Sequence, residues 1–299
     1  RGWVRVMFPN LGPRVDVPAP DVYTTPQIMA WMTDEYSKLA GQASPAAFTG
    51  KPIEIGGSAG REFSTGQGGL DVLTALMKDL GKKPEDMTVA VQGFGNVGYH
   101  VARLLHGVGY KVVALSDSKG GIEDKRRLGM NPEHVMATKK ERGMIAGMYC
   151  EGSVCDSENY RAITNDQLLA LEVDILVPSA LENAITDLNA GAIKTKIILE
   201  MANGAVTPEA EALLDQKQII VVPDILANGG GVVGSYFEWD QNLKGERWTE
   251  EQVLKELAKV MTTAYHDVAA SAKKYSVNLR TGAYIVALNR LAASAPNEG

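Results

Sequence analysis

The chain has 299 residues, 45% of them hydrophobic, with 30 Lys and Arg against 36 Asp and Glu for a net charge of −6. That acidic balance (pI ≈ 5.4) lacks the basic surplus that tracks a phosphate backbone or an anionic membrane, so neither nucleic acid nor membrane is an expected partner. Length and apolar content suit about two domains with real cores, and no apolar run reaches the roughly 18 residues of a spanning helix.

In chain order, residues 3–8 read as a short strand ending at Pro9, and Gly12 to Pro20 is too rich in proline for regular structure. Thr24 or Thr25 then caps a helix with Pro26 in its first turn, running to about Leu39. Small residues after Gly41 mark a candidate domain boundary, and a helix follows from about Thr65 to Leu80 with Leu70, Leu73 and Met77 on one face. Strands are expected at 88–92, 111–116, 174–178, 196–200 and 219–223, separated by helices at 96–106, 131–142, 165–171 and 208–216. Short β-branched strands without polar alternation indicate a doubly wound α/β architecture, its parallel sheet buried on both faces. The last 70 residues are helical, at about 232–243, 250–275 and 280–294, with Thr249 and Gln252 forming a capping box.

Cys150 and Cys155 are too few for a disulfide scaffold and match no zinc spacing, so free thiols are expected. His100, His106, His134 and His266 are scattered, and no metal site is expected.

The 31 glycines gather where chemistry is expected. Gly93-Phe94-Gly95-Asn96-Val97-Gly98 follows a strand and opens a helix: the first glycine makes the tight turn, the second lets backbone approach a pyrophosphate, and the third packs helix on strand. The next strand ends at Asp117, placed to accept hydrogen bonds from an adenosine ribose, whereas Ser118 and Lys119 beside it suit a 2′-phosphate. NAD and NADP both fit. Asp16 and Asp21 flank the prolines of Val17-Pro18-Ala19-Pro20, in a setting where a loop aspartate is commonly a turn former. Asn228-Gly229-Gly230-Gly231 reads either as a flexible hinge or as bare backbone for a flat ring or a carboxylate.

Asp16 to Asp21, Thr49-Gly-Lys-Pro52, Ile55-Gly-Gly-Ser58, Ser64-Thr65-Gly66, Gln92 to Gly98, Ser116 to Ile122, Met201-Ala-Asn-Gly204, Thr207 to Ala210 and Ser235-Tyr-Phe-Glu-Trp239 together resemble the motif series of the glutamate dehydrogenase family, in that family's order. The resemblance implies reversible NAD(P)-dependent deamination of L-glutamate to 2-oxoglutarate and ammonia by a homohexamer, and the free thiols expected of Cys150 and Cys155 suit a cytoplasmic location. It implies that Asp21 shuttles the proton of the substrate nitrogen and that Thr65, Asn203 and Asn228 surround substrate and nicotinamide. Ala180 lies beside the adenosine, Ser235 bonds the substrate γ-carboxylate, and Val232 lines the same pocket. Relatives acting on leucine, phenylalanine or valine have apolar pockets, so Ser235 favours glutamate. Gln67, Gly69, Tyr23 and Gly229 depart from the family pattern, which commonly has Arg, a β-branched residue, Gly and Ala there. The resemblance also implies a Rossmann domain over 47–228, with 1–46 and 229–299 belonging to an incomplete second domain and the nicotinamide in the cleft between. It places the catalytic lysine upstream of the stretch matching Arg1. The chain is then a piece of such a subunit; the alternatives are a short dinucleotide-binding or regulatory paralogue, or a dehydrogenase of another amino acid.

Overall fold

The protein is described as a computed structural model covering residues 1–21, 23–145 and 147–294. It gathers into two compact units, one of residues 1–65 with 230–260 and one of 66–229 with 261–299.

The first unit starts with a helix where a strand is expected: α1 is Gly2–Met7, followed by a 3-10 turn at Phe8–Asn10. Arg1 and Arg5, one helical turn apart, both reach Glu35 of α2 (Pro26–Ala40), at 3.1 and 2.6 Å, while Val4 between them is buried. Pairing at a four-residue spacing outweighs the strand-like run of Trp3 to Phe8. Thr25 caps α2 as expected, its hydroxyl accepting from Ile28 N at 3.3 Å with Pro26 in the first turn. Val4, Leu11, Met29, Tyr36, Ala47 and Phe48 form this unit's core.

The expected boundary at 46/47 is not where this structure divides, because residues 49–65 hang on α10 (Gly230–Lys244). Glu238 of α10 accepts from Gly50 N at 2.9 Å and from the Lys51 ammonium at 2.6 Å, with both side chains wholly buried. The glycine run at 229–231 is helical over Gly230 and Gly231, not a loose linker. Its bare face lets the chain approach: a Cβ on Gly231 would lie 2.6 Å from Thr65 Oγ1, and one on Gly234 2.8 Å from Ser64 Oγ.

The second unit contains α3 (Ser64–Asp79) from Gly66 onward, then β1 (Thr88–Gln92), α4 (Asn96–Gly107), β2 (Lys111–Asp117), β3 (Gly120–Asp124) and α5 (Pro132–Arg142). After these come β4 (Tyr149–Glu151), β5 (Val154–Asp156), β6 (Tyr160–Ile163), α6 (Asn165–Leu169), β7 (Ile175–Pro178), α7 (Asp187–Ala190), β8 (Ile197–Leu199), α8 (Pro208–Gln216), β9 (Ile220–Val222) and α9 (Asp224–Ala227). The seven-stranded sheet has the order β6-β3-β2-β1-β7-β8-β9. Strands β2, β1, β7, β8 and β9 run parallel, as expected, and the apolar residues of the central strands are buried. The sheet is not all-parallel: β3 and β6 join antiparallel at one edge. Gly120 at φ +132 turns β2 straight back into β3, a connection too short for a parallel crossover.

The cysteines are not free thiols. They are directly opposed in the β4–β5 hairpin, with Cα atoms 4.0 Å apart, and form a disulfide. Beyond Val260, α11 (Glu250–Tyr275) and α12 (Leu279–Ser294) belong to this unit rather than to the second domain expected over 229–299. Tyr265 donates to Asp79 of α3 at 2.9 Å, and Arg280 reaches three carboxylates of the sheet's connections. Residues 295–299 of that expected span lie outside the described residues.

Candidate functional site

In the second unit the carboxyl ends of the parallel strands lie along one edge of the sheet, where ligands of open α/β folds bind. Gly93 leaves β1 at φ +90, and a Cβ there would sit 2.7 Å from Ala180, which follows β7. A Cβ on Gly98 would lie 1.7 Å from Gly93 O, so helix and strand meet only because both residues are bare. A Cβ on Gly95 would meet nothing, and Gly95 and Asn96 are exposed at the start of α4, with Val97 half-buried behind them. A tight turn, an open second glycine and exposed amides at a helix N-terminus form the cradle that a pyrophosphate needs.

Asp117 ends β2 along the same edge. One carboxylate oxygen accepts from Lys119 N at 2.8 Å, and the other pairs with the Lys139 ammonium at 3.0 Å. Lys139 also donates to Phe94 O at 2.8 Å, linking α5 to the glycine turn. Ser118 is exposed beside them. Farther along, Asn228 donates to Asn203 Oδ1 at 2.6 Å, joining the turn after β8 to the end of α9. The cofactor residues expected from the sequence thus share one edge: Gly93 touches Ala180, Asn203 touches Asn228, and Asp117 stands beside the glycine turn.

In the first unit, Asp21 is exposed at the end of the proline loop. Its N–H donates to Thr24 Oγ1 at 2.6 Å. Thr49 N donates to Pro18 O at 3.1 Å, and Gly50, at φ +76, packs so closely on the Pro20 ring that a Cβ would lie 2.4 Å away. Because Gly50 is itself bonded to Glu238, the loop bearing Asp21 is tied to α10. Trp239 Nε1 donates to Pro13 O at 2.8 Å, a second tie to the same loop.

Ser235 is buried on α10, and exposed Val232 lies one turn before it. Arg61, which sequence reading does not single out, donates to Ser235 Oγ through Nε at 3.2 Å and Nη2 at 2.8 Å. Desolvation pulls the pKa of the Arg61 guanidinium down, opposed by the field of Glu238. Desolvation also lowers Lys51, again opposed by Glu238. The carboxylate bonded to Lys51 thus also acts on Arg61 through its field, while the Arg61 guanidinium itself is bonded to the Ser235 hydroxyl, a cation that favours an incoming anion. The only sequence signal for Arg61 is a charge directly after the small-residue run Gly56 to Gly60. Lys139 lies in the charged run Lys139 to Arg142 and reads as solvated surface.

Among the described residues, no three or more His, Cys, Asp or Glu side chains are grouped to hold a metal ion, and no helix is long and apolar enough to cross a membrane. A cavity of about 310 Å³ is lined by Pro45, Asn242 and Trp248 together with Gly56, Ser58 and Glu238 of the matched motifs, while Asp21, Thr65, Val232 and Ser235 are not among its lining residues.

Sheet order, glycine cradle and terminal carboxylate define an α/β protein of the dinucleotide-binding class. The chain belongs to the Glutamate/Leucine/Phenylalanine/Valine dehydrogenase family: the family model matches residues 56–299, and the model of its dimerisation domain matches residues 1–38. It is 44% identical over 299 residues to the NADP-specific glutamate dehydrogenase of Synechocystis, covering all of this chain and 69% of the relative. It is 39% identical over 299 residues to the catabolic NAD-specific glutamate dehydrogenase of Bacillus subtilis, covering 68% of that relative. Among solved structures, the hetero-hexameric glutamate dehydrogenase from Thermus thermophilus in a leucine-bound form superposes with a TM-score of 0.90 at 33% identity, over 99% of this chain and 68% of that one. The fold and family expected from the motifs are those found.

Proposed function

We propose that the protein is an enzyme of reversible, NAD(P)-dependent oxidative deamination of L-glutamate to 2-oxoglutarate and ammonia. The observation that carries the choice of substrate is the pair of hydrogen bonds from the Arg61 guanidinium to Ser235, a cation and a hydroxyl side by side, one helical turn from the buried Lys51–Glu238 pair. Such a site favours a side-chain carboxylate and penalises leucine or valine, whose methyl groups leave the hydroxyl and guanidinium unsolvated.

Gly93, Gly95, Asn96, Val97 and Gly98 would hold the pyrophosphate, with Ala180 and Asp117 beside the adenosine and ribose. Asn203 and Asn228 would flank the nicotinamide end. A bound dinucleotide supplies the hydride acceptor in deamination and the donor in amination. Asp21 takes a proton from the substrate ammonium in deamination and returns it in amination, from a loop whose geometry is fixed by Gly50 and Pro20. Thr65 and Val232 line the substrate side, and Ser235 with Arg61 orients the γ-carboxylate. NAD and NADP both remain in the reading, as the two relatives differ in coenzyme. Substrate recognition and oligomer contacts are assigned to the first unit and coenzyme binding to the second. Exposed Trp3, Val6 and Trp31 on α1 and α2 fall within the stretch matched by the dimerisation model, supporting a homo-oligomer, a hexamer by family likeness. A cytoplasmic location belongs to the same reading.

The test is Arg61→Leu in the full-length enzyme. The KM for glutamate is expected to rise at least about tenfold with coenzyme affinity unchanged, as for a lost charge-assisted carboxylate contact. An unchanged KM removes Arg61 from substrate recognition.

A further inference from the structure

Arg280 is the second residue of α12, and a cation at a helix N-terminus opposes the helix dipole. Its surroundings account for it. Nε donates to Glu211 Oε2 of α8 at 2.7 Å, Nη1 to Asp224 Oδ1 of α9 at 2.9 Å, and Nη2 to Glu200 Oε2 just past β8. Three carboxylates from three elements converge on one guanidinium, and Glu200 is wholly buried.

Two of these carboxylates hold the backbone that carries Asn203 and Asn228. Glu200 accepts from Val206 N at 2.7 Å and from Asp224 N at 3.1 Å; Asp224 accepts from Gly204 N at 2.7 Å and from Ile225 N at 2.8 Å. The turn 201–206 is thus held at Gly204 and Val206, directly after Asn203, and the first residue of α9, whose C-cap is Asn228, is held by the Glu200 carboxylate. The hydrogen bond between Asn228 and Asn203 closes the circuit. Carboxylates this close repel unless a cation lies among them, and a planar five-donor fork can serve all three at once.

We propose that Arg280 is a positioning residue of the coenzyme site: by neutralising Glu200 and Asp224 it fixes the turn presenting Asn203 and, through α9, the placement of Asn228. This rests on the reading of the strand ends as the dinucleotide site.

The experiment compares the full chain with Arg280→Met, Arg280→Lys and the double variant Arg280→Met/Glu200→Gln. It measures NADH and NADPH affinity by nicotinamide fluorescence, and amide hydrogen exchange without coenzyme. Arg280→Met is expected to weaken binding about tenfold and to speed exchange at Gly204 and Val206 while sparing Tyr99 in α4. Removing the orphaned charge in the double variant recovers part of both losses, and Arg280→Lys, with a charge but no fork, falls between. Should Arg280→Met fail to fold, Arg280→Lys carries the test with a roughly threefold loss. Wild-type affinity in these variants overturns the proposal, whether or not exchange speeds up. If the parent chain binds neither coenzyme, the dinucleotide reading falls, and the exchange data still report separately whether Arg280 clamps the turn.

Discussion

Tyr23 stands in the loop after Asp21 at φ +61, a left-handed conformation that costs a side-chain-bearing residue roughly 1–2 kcal/mol, and its ring is 96% exposed and so recovers little of that. The resemblance puts a glycine at this position. Tyr23→Gly is therefore expected to raise stability by about 1 kcal/mol in denaturant unfolding; a loss of that size contradicts the strain argument. Of the departures at glycine, that at Gly69 also has a local cause and that at Gly229 has none in the structure. A Cβ on Gly69 would lie 2.5 Å from Met201 Sδ, so the thioether takes the room that a β-branched residue would fill. At Gly229 a Cβ would meet its neighbours at 3.4 Å or beyond, ordinary contact, so alanine fits there equally well.

Gln67 is a departure with electrostatic consequences. It donates to Asp71 Oδ1 at 2.9 Å, and Asp71 Oδ2 is buried without a hydrogen-bond partner among the described residues. Burial pushes the Asp71 carboxyl up to about 6, only partly opposed by Gln67. The folded chain holds this proton more tightly than the unfolded chain, so the contribution is fully present below about pH 4 and is lost as the pH rises through about 6. Gln67→Arg supplies a countercharge and should bring the Asp71 pKa below 5 in a carbon-13 titration. An Asp71 carboxyl still near 6 in that variant contradicts desolvation as the cause.

At the scale of elements, α10 organises the first unit. Ser235 faces Arg61, Glu238 three residues on holds Gly50 and Lys51, and Trp239 holds Pro13. Lys51→Met takes from the buried Glu238 carboxylate the ammonium bonded to it, leaving only backbone N–H donors on it, and should cost about 3–5 kcal/mol, with a good part restored by adding Glu238→Gln. A cost below 1 kcal/mol for the single change contradicts the account of this pair. Most helices and all five parallel strands were legible in the sequence, because helical spacing, caps and short β-branched runs are local signals. Residues 3–8 misled because the deciding interaction, Arg1 and Arg5 with Glu35, spans 30 residues or more. The strands β3 to β6 were missed for a related reason. Gly120-Gly121-Ile122-Glu123 has no alternation, and its place at the sheet edge depends on pairing with Tyr160 to Ile163. That hairpins bring Cys150 opposite Cys155 is likewise a register effect that spacing alone does not reveal.

Across the whole molecule, the coenzyme residues were the most legible part of the candidate site, since the glycine turn is a contiguous motif in which a Cβ on Gly93 or Gly98 would lie 2.7 or 1.7 Å from its neighbours while Gly95 is left open. The charged partners Arg61, Lys139 and Arg280 were not, because each acts on a residue far away in sequence and looks like surface charge in its own segment. Acid titration adds a molecule-wide expectation. Desolvation raises Glu200 to about 6 despite Arg280, so with Asp71 two carboxyls lower stability as the pH rises from about 4.5 to 6.5. Unfolding free energy at constant ionic strength should fall across that window, and Asp71→Asn should flatten the fall.

The proposed selection of a dicarboxylic amino acid rests on Ser235 and Arg61. Its most direct test is the ratio of kcat/KM for glutamate to that for leucine in the full-length enzyme with its preferred coenzyme. A ratio above about 10³ is predicted, collapsing on Ser235→Ala combined with Arg61→Leu, since a polar pocket discriminates strongly against a substrate lacking its partner group. Comparable values for the two amino acids in the parent enzyme would contradict it.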